Sequence, residues 1–371
     1  MRVLYVSKAS RVMAHRDKLT ALGARVDLHT VVPDRWPGVV DEPADPAHPP
    51  IECLPVRLAG HNHLHWYRGL GAVMDRVAPD LVHADEEAYS AVTLQVARLC
   101  AARRVPFVFF AWQNLAKRLP PPFGLLRGHV YRRAAGGLAG TATAARVLRH
   151  SGFRGPVAVV PQMGVDPDRF RPDPAGRTRR RTALGVGPGA CLVGYVGRLV
   201  PEKGVDLLVD AVAAVGDVHA VVVGDGPEAE ALRRRAAGAG VGERITFTGG
   251  AASADVPEWM AALDVLVLPS RTTPTWSEQF GRVLVEAMAC GVPVVVSDSG
   301  EMAGVAGPAG SVVPEGRADA LAQAFRTLLD PGLREERGRI ARARVLELFT
   351  QERVADDTVA FYRTLGPVAA E

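Results

Sequence analysis

Cysteine is scarce in this chain of 371 residues: there are four, at Cys53, Cys100, Cys191 and Cys290, and no two form a C-x-x-C pair. That spacing excludes a zinc ribbon and a disulfide-stapled scaffold and suits a reducing compartment, so a cytoplasmic location is expected. No uninterrupted apolar run reaches the roughly 18 residues of a membrane helix. The apolar run at residues 3–6 is too short for a secretory signal. Charge of one sign is not in excess: 44 Lys+Arg face 40 Asp+Glu, a formal net charge of +4, which is too little to imply a nucleic-acid partner. No G-x-G-x-x-G follows the first apolar run, which speaks against a nicotinamide oxidoreductase. Internal repeats and low-complexity linkers are absent as well.

What is present is an ordinary globular composition, 48% hydrophobic and 23% charged. At roughly 150 residues per domain, the length predicts two domains. Short β-branched runs alternate with longer amphipathic stretches. Residues 3–6, 25–28, 81–83, 105–110 and 157–160 read as strands in the first half. Residues 191–196, 220–223, 244–247, 265–268 and 292–296 do so in the second. Strands apolar throughout and separated by helices indicate an α/β fold with parallel sheets covered on both faces, here in two doubly wound, Rossmann-like domains. Four prolines between 161 and 174 mark the break between them. The Arg-Thr-Arg-Arg-Arg run at 177–181 reads as a solvated helix face, with phosphate or acidic-partner binding as the other option. Residues 335–365 read as two helices broken near Phe349 and Thr350.

Four stretches carry chemistry. In Ser277-Glu278-Gln279-Phe280-Gly281-Arg282-Val283-Leu284-Val285-Glu286, Gly281 opens an apolar helix that Gly291-Val292-Pro293 stops. Free N–H groups at such a start favour an anion or a sugar hydroxyl. Glu278 stands just before the helix and Glu286 about two turns in. A nucleotide sugar across the helix start would meet both carboxylates. The plainer alternative is an acid complementing the helix dipole plus one exposed glutamate. The second stretch is Gly197-Arg198-Leu199-Val200-Pro201-Glu202-Lys203-Gly204. It places two cations after a strand, where open α/β sheets bind ligands and where arginine grips a diphosphate; an ordinary charged surface loop is the competing reading. The third, Gly224-Asp225-Gly226-Pro227, reads first as a tight turn and second as a ligand contact. The fourth, Phe247-Thr248-Gly249, is an edge whose backbone would read a base.

In this order and spacing the four stretches, together with Glu286-Ala287-Met288-Ala289-Cys290-Gly291-Val292-Pro293, resemble the retaining glycosyltransferases of family 4, which have the GT-B fold. The likeness is dense over residues 194–300 and thinner elsewhere. It implies two Rossmann-like domains with parallel sheets facing an interdomain cleft. Residues 1–164 would form an acceptor-side domain and residues 165–351 a nucleotide-sugar-binding domain, with a terminal helix of about 352–371 packing back on the first. It also implies that Gly197, Arg198, Lys203, Gly224 and Phe247 line the donor site. Arg198 and Lys203 would contact the diphosphate and Glu286 the ribose, while Glu278 and the backbone of Gln279, Phe280 and Gly281 hold the sugar. The catalytic set is then Arg198, Lys203 and Glu278.

The first half departs from that pattern. Many relatives have a Gly-Gly loop after the first strand and a histidine in the following helix. Here the loop is Ser7-Lys8-Ala9-Ser10-Arg11-Val12-Met13-Ala14, with His15 at the histidine position and Ser7 offering a backbone contact to phosphate. After the strand at 105–110, where many relatives place a histidine near the sugar, stand Ala111-Trp112-Gln113-Asn114. Trp112 supplies an apolar wall and Gln113 or Asn114 a hydroxyl contact. Asp85-Glu86-Glu87 after the strand at 81–83 reads equally as an acceptor contact or as solvated acids at a helix start. His61-Asn62-His63-Leu64-His65 lacks an evident fourth metal ligand and reads as a loop bordering the acceptor. Lys117 and Arg118 with the basic-apolar stretch to Arg133 read as a solvated cationic helix face, a basic acceptor rim or a membrane-surface contact.

The expected activity is retaining transfer of a sugar from a nucleoside diphosphate donor to a hydroxyl, without a metal or other cofactor. UDP-sugar is favoured and GDP-sugar is open. A small-molecule or natural-product acceptor is expected, with a lipid or polysaccharide precursor as the alternative. A GT-B epimerase or phosphorylase is the rival class.

Overall fold

The computed structural model describes residues 1–12, 15–39 and 48–365. Residues 13–14 of the first loop and 366–371 of the expected terminal helix lie outside the described residues. The chain divides into two compact units. One runs from Met1 to Gly164 and resumes at Gln351; the other is Val165–Thr350.

The first unit holds β1 (Arg2–Val6), β2 (Asp27–Pro33), β3 (Ile51–Leu54), β4 (Val56–Arg57), β5 (Trp66–Tyr67), β6 (Leu81–Ala84), β7 (Phe107–Ala111), β8 (Gly136–Ala139) and β9 (Val157–Val159). Seven of these form a parallel sheet in the order β3-β2-β1-β6-β7-β8-β9, and β4 pairs with β5 antiparallel. Alternation along β1 sends Val3 and Tyr5 to one face and Leu4 and Val6 to the other. Val3 and Tyr5 join Leu19 and Leu22 of the helix Asp17–Gly23 and Val354, Ala355, Val359 and Tyr362 of the helix Gln351–Thr364. Leu4 and Val6 join Val92 and Val96 of the helix Ala91–Arg103. Each large apolar side chain buried this way contributes about 1.5–3 kcal/mol. The last helix is also tied to the sheet by polar contacts. Tyr362 and His83 share a hydrogen bond of 2.5 Å, and Arg25 donates to Asp356 at 2.6 Å.

The second unit holds β10 (Cys191–Val196), β11 (Val218–Val223), β12 (Ile245–Gly249), β13 (Val265–Leu268), β14 (Val294–Ser297) and β15 (Gly310–Val313), all parallel in the order β12-β11-β10-β13-β14-β15. β10, β13 and β14 are buried along their whole length, as expected of strands covered on both faces. The helices Pro331–Leu348 and Gln351–Thr364 meet at Phe349–Thr350, where the sequence pattern predicts the break.

Three expectations need correction. The strand expected at 25–28 begins at Asp27, because Val26 N still donates to Leu22 O in the turn that ends the preceding helix. Strands β3, β4, β5, β8 and β15 were not anticipated; each is short, and β8 and β15 open on glycine. The arginine run on the helix Pro174–Ala183 is a solvated face only in part, at Thr178 and Arg179. Arg177 and Arg181 clamp both oxygens of Asp264 at 2.5 and 2.8 Å, and Arg179 and Arg180 pair with Glu258.

Candidate functional site

In the second unit the order of strands reverses between β10 and β13, since β11 lies on one side of β10 and β13 on the other. Ligands of open α/β sheets bind beyond the strand ends at such a point. The loops there carry Arg198 and Lys203 after β10 and Ser270 after β13. The Arg198 loop interlocks with the backbone at the end of β11 and just beyond it. Gly197 N donates to Val223 O and Leu199 N to Asp225 O. Gly224 has φ 152°, and a Cβ on it would lie 1.8 Å from Gly197 O, so only glycine fits. The Gly-Asp-Gly-Pro turn therefore serves first to seat the Arg198 loop.

Arg198 is exposed and makes no side-chain hydrogen bond or ion pair with a described residue, while its carbonyl accepts from Tyr195 Oη at 2.7 Å. Lys203 is mostly buried. Its Nζ donates to Glu278 Oε2 at 2.6 Å and stands 5.0 Å from the centre of the Trp276 ring. Ser270 Oγ donates to the same carboxylate oxygen at 3.2 Å. The end of β14 and the loop after it brace these residues: Glu301 N donates to Glu278 O at 3.2 Å, and Ser297 Oγ donates to Ser270 O. Gly281, in the left-handed region, leads into the helix Arg282–Ala289. Gln279 is exposed there, whereas the Phe280 ring is buried edge-on to Phe349. Glu286 is buried and pairs with Arg282 at 2.9 Å. Burial raises its pKa, and Arg282 and then Arg169 oppose the rise. Phe247 is half-buried beneath Arg233.

The structure thus brings Lys203 and Glu278 together, although the sequence reading assigned one to phosphate and the other to sugar. It pairs Glu286 with Arg282, which that reading left without a role. Ser270 and Trp276 were missed. Neither belongs to a motif, and both reach Glu278 and Lys203 only through folding.

In the first unit the reversal lies between β1 and β6. The register Val6↔Ala84 sets Ser7 beside Asp85. Ser7 Oγ and Gln162 Nε2 each donate to Asp85 at 2.7 Å. Burial would raise the Asp85 pKa, but Lys18, His83 and these two donors bring it below the usual value. Glu86 is buried with one oxygen held by Lys8 Nζ; the other, Oε1, has no hydrogen-bond partner among the described residues and lies 3.7 Å from His65 Nε2. Glu87 accepts from the backbone N of Trp112 at 2.7 Å and of Gln113 at 3.0 Å. Burial lifts both glutamates to about 7, against the pull of Lys8 on Glu86 and of the two N–H groups on Glu87. The acids are therefore not solvated charges at a helix start. His15 lies just before the helix Asp17–Gly23, its Nδ1 3.0 Å from Ala9 O, where it braces the first loop. The Trp112 ring packs on Phe110.

Residues 190–331 match the family described as Glycosyl transferases group 1. A GDP-mannose-dependent alpha-(1-6)-phosphatidylinositol monomannoside mannosyltransferase of Mycobacterium tuberculosis is 45% identical over 145 residues, covering 37% of each chain. A D-inositol 3-phosphate glycosyltransferase of Streptomyces bingchenggensis is 34% identical over 233 residues, covering 58% of this chain and 50% of its own. A 2-deoxystreptamine glucosyltransferase of Streptomyces kanamyceticus is 36% identical over 184 residues, 47% of this chain and 45% of its own. The chain spans half or less of the length of these curated relatives. Among solved structures, Anabaena HepE in complex with UDP has a TM-score of 0.78 at 23% identity, covering 98% of this chain and 100% of its own. Sucrose-phosphate synthase from Thermosynechococcus elongatus has a TM-score of 0.76 at 21% identity, covering 98% and 99%. The fold is GT-B, two Rossmann-like halves with parallel sheets.

Proposed function

We propose that this chain is a retaining glycosyltransferase. It moves a hexose from a nucleoside diphosphate, UDP or GDP, to a hydroxyl of an acceptor. The observation that carries the reading is the Lys203–Glu278 ion pair at the strand-order reversal of the second unit, with Arg198 exposed on the same loop as Lys203. Arg198 grips the diphosphate, and Lys203 joins the phosphate end of the donor to the carboxylate that holds its sugar. Charge growing on the leaving diphosphate meets donors already in place, and the loss of one such donor typically costs about 2.7–4 kcal/mol in an active site. Retention follows from attack on the face that the leaving group vacates, with the leaving phosphate taking the acceptor proton. Glu278 orients sugar hydroxyls and is not required as a nucleophile. Glu286 accepts from the ribose once Arg282 yields to it.

Residues 1–164 form the acceptor side in this reading, with Asp85, Glu86, Trp112, Gln113 and His15 around it and Ser7 at its base. The match to a deoxystreptamine-modifying relative supports a small-molecule acceptor. A lipid acceptor is the second reading. On the helix Phe123–Tyr131, Leu125 is 77% exposed, with Lys117, Arg118, Arg132 and Arg133 exposed near it in the chain, a surface suited to an anionic membrane.

Thermal unfolding with saturating UDP, GDP, dTDP, ADP or NAD tests the donor assignment. A ligand at about 100 times its dissociation constant adds about 2.7 kcal/mol to the folded state. Stabilisation by one nucleoside diphosphate and not by NAD is expected; stabilisation by NAD alone overturns the reading.

A further inference from the structure

We propose that Trp276 is a positioning residue for Lys203: its ring holds the lysine ammonium at the diphosphate site while the Glu278 carboxylate turns from the lysine to the donor sugar. The proposal rests on the reading of the second unit as the donor side and adds a residue to that site.

Trp276 lies in the segment after β13, residues 269–277, and that segment is fastened to the chain on both sides of Lys203. Arg271 N donates to Glu202 O at 2.8 Å, one residue before the lysine. The Arg271 guanidinium donates to both oxygens of Asp206, three residues after it, at 2.7 and 2.6 Å. Between these anchors the two backbones touch: a Cβ on Gly204 would stand 2.1 Å from Pro269 O. The tip of the segment closes on itself. Thr273 N donates to Trp276 O at 2.7 Å, and Trp276 N donates to Thr273 Oγ1 at 3.0 Å. Thr272 ties the outer side to Glu315, N to Oε2 and Oγ1 to Oε1, each at 2.6 Å. The segment that fixes the lysine backbone therefore also fixes the ring over its ammonium, with Nζ 5.0 Å from the ring centre.

Lys203 thus has two partners of different kinds. The Glu278 carboxylate is one that a ligand can take. Its Oε2 accepts from Ser270 Oγ at 3.2 Å as well as from Lys203 Nζ at 2.6 Å, and sugar hydroxyls would donate to the same group. The indole face is different: it attracts a cation through its π system and offers no lone pair for a sugar hydroxyl to occupy. Lysine carries its charge on a flexible four-carbon stem and loses rotamer freedom when it grips a phosphate. Against the ring, the ammonium is already in place, so that loss falls on folding rather than on binding. The lysine side chain is only 16% exposed, and a shielded cation–π contact is stronger than one at a surface.

The test is calorimetry of UDP and GDP binding to the full chain. Trp276→Leu keeps an apolar side chain without a π face and is expected to weaken binding by about tenfold, while Trp276→Phe stays within about threefold of the native chain. Tryptophan carrying successive ring fluorines, placed at position 276, separates charge from packing, because fluorine drains the negative face and leaves the shape nearly unchanged. It also decides the matter where the leucine variant does not fold. Affinity is expected to fall with each added fluorine in the native background and to stay level in a Lys203→Met background. Equal affinity across the series in the native background overturns the positioning role, and so does a fall that persists in Lys203→Met. A native chain that binds neither UDP nor GDP overturns the donor reading and the positioning role with it. That result is distinct from the former two, in which nucleotide binds and only the coupling of ring to lysine is missing.

Discussion

Lys203 Nζ and Glu278 Oε2 are 2.6 Å apart, although 75 residues separate them in the chain. Both side chains are largely shielded from water, and a shared carboxylate–ammonium contact in such a place is held by geometry as much as by charge. Three further features converge on it: Ser270 on the carboxylate, Trp276 over the ammonium, and the backbone at Ser299-Gly300-Glu301 behind Glu278. That arrangement makes Glu278 rigid, which a residue orienting a sugar requires.

Glu278→Gln should lower kcat by about 100-fold or more, the scale seen when a pre-organised polar contact to a transition state is lost. Affinity for the nucleoside diphosphate should hardly change. Steady-state rates and calorimetry on the same preparation separate the two, and near-native turnover would remove Glu278 from the sugar site.

Arg198→Ala and Lys203→Ala should each weaken binding of UDP or GDP by about tenfold or more, as expected for a charge-assisted phosphate contact. The two will differ in stability. Arg198 is exposed and makes no side-chain pair with a described residue, so its loss leaves the melting temperature unchanged, whereas loss of Lys203 removes the cationic partner of the buried Glu278 carboxylate. Unaltered nucleotide affinity in both would place the diphosphate elsewhere.

Gly300→Ala should impair turnover without touching any ligand contact. Gly300 has φ 59°, and a Cβ there would lie 1.9 Å from Glu278 O. The backbone must move, at a cost of roughly 1–3 kcal/mol, and Glu278 moves with it. Urea unfolding and kcat measured together check this; a fully active, fully stable variant would show that the bracing is unimportant.

Acidity should act on the first unit in two directions. Glu86 and Glu87 have folded pKa values of about 7, raised by burial above the ordinary 4.5. Their contribution to stability is complete below about 4.5 and is lost as the pH rises through about 7. Asp85 is shifted down, so its contribution is present above the ordinary carboxylate range and lost as pH falls through its lower folded value. Replacing Glu86 and Glu87 together by glutamine should therefore stabilise the chain more near pH 8 than near about pH 5. Melting curves at the two pH values read this directly, and an equal effect at both would contradict the assignment.

A metal chelator should leave transfer intact, because the proposed charge stabilisation comes from Arg198, Lys203 and backbone N–H groups. Loss of activity on dialysis against EDTA, restored by a divalent cation, would refute metal independence.

Much of the architecture was legible in the order of residues. Parallel strands such as β10, β13 and β14 are buried on both faces, so they must be apolar at every position, and a run like Val294–Ser297 announces itself. The prolines near 161–174 and the pause at Phe349–Thr350 are local backbone effects, and they too were visible. Strand β8 was not. Phe361, from the far end of the chain, lies where a side chain at Gly136 would stand, 2.7 Å from a Cβ, and a Cβ on Gly137 would lie 3.1 Å from the Phe109 ring.

The same division runs through the sites. Arg198, Lys203, Glu278 and Glu286 were singled out by the resemblance that their motifs carry, since each motif is a local run of residues along one segment. Their partners could not be named that way. Lys203 with Glu278, Ser7 with Asp85, Lys8 with Glu86 and Tyr362 with His83 join residues from 75 to 279 positions apart. Whether Asp85-Glu86-Glu87 is a solvated cluster or a buried, half-titrated one is not a property of three acids in a row. It depends on how much water the neighbouring strands, the histidine loop and the last helix exclude, and burial of a charge is decided only when all of them have packed.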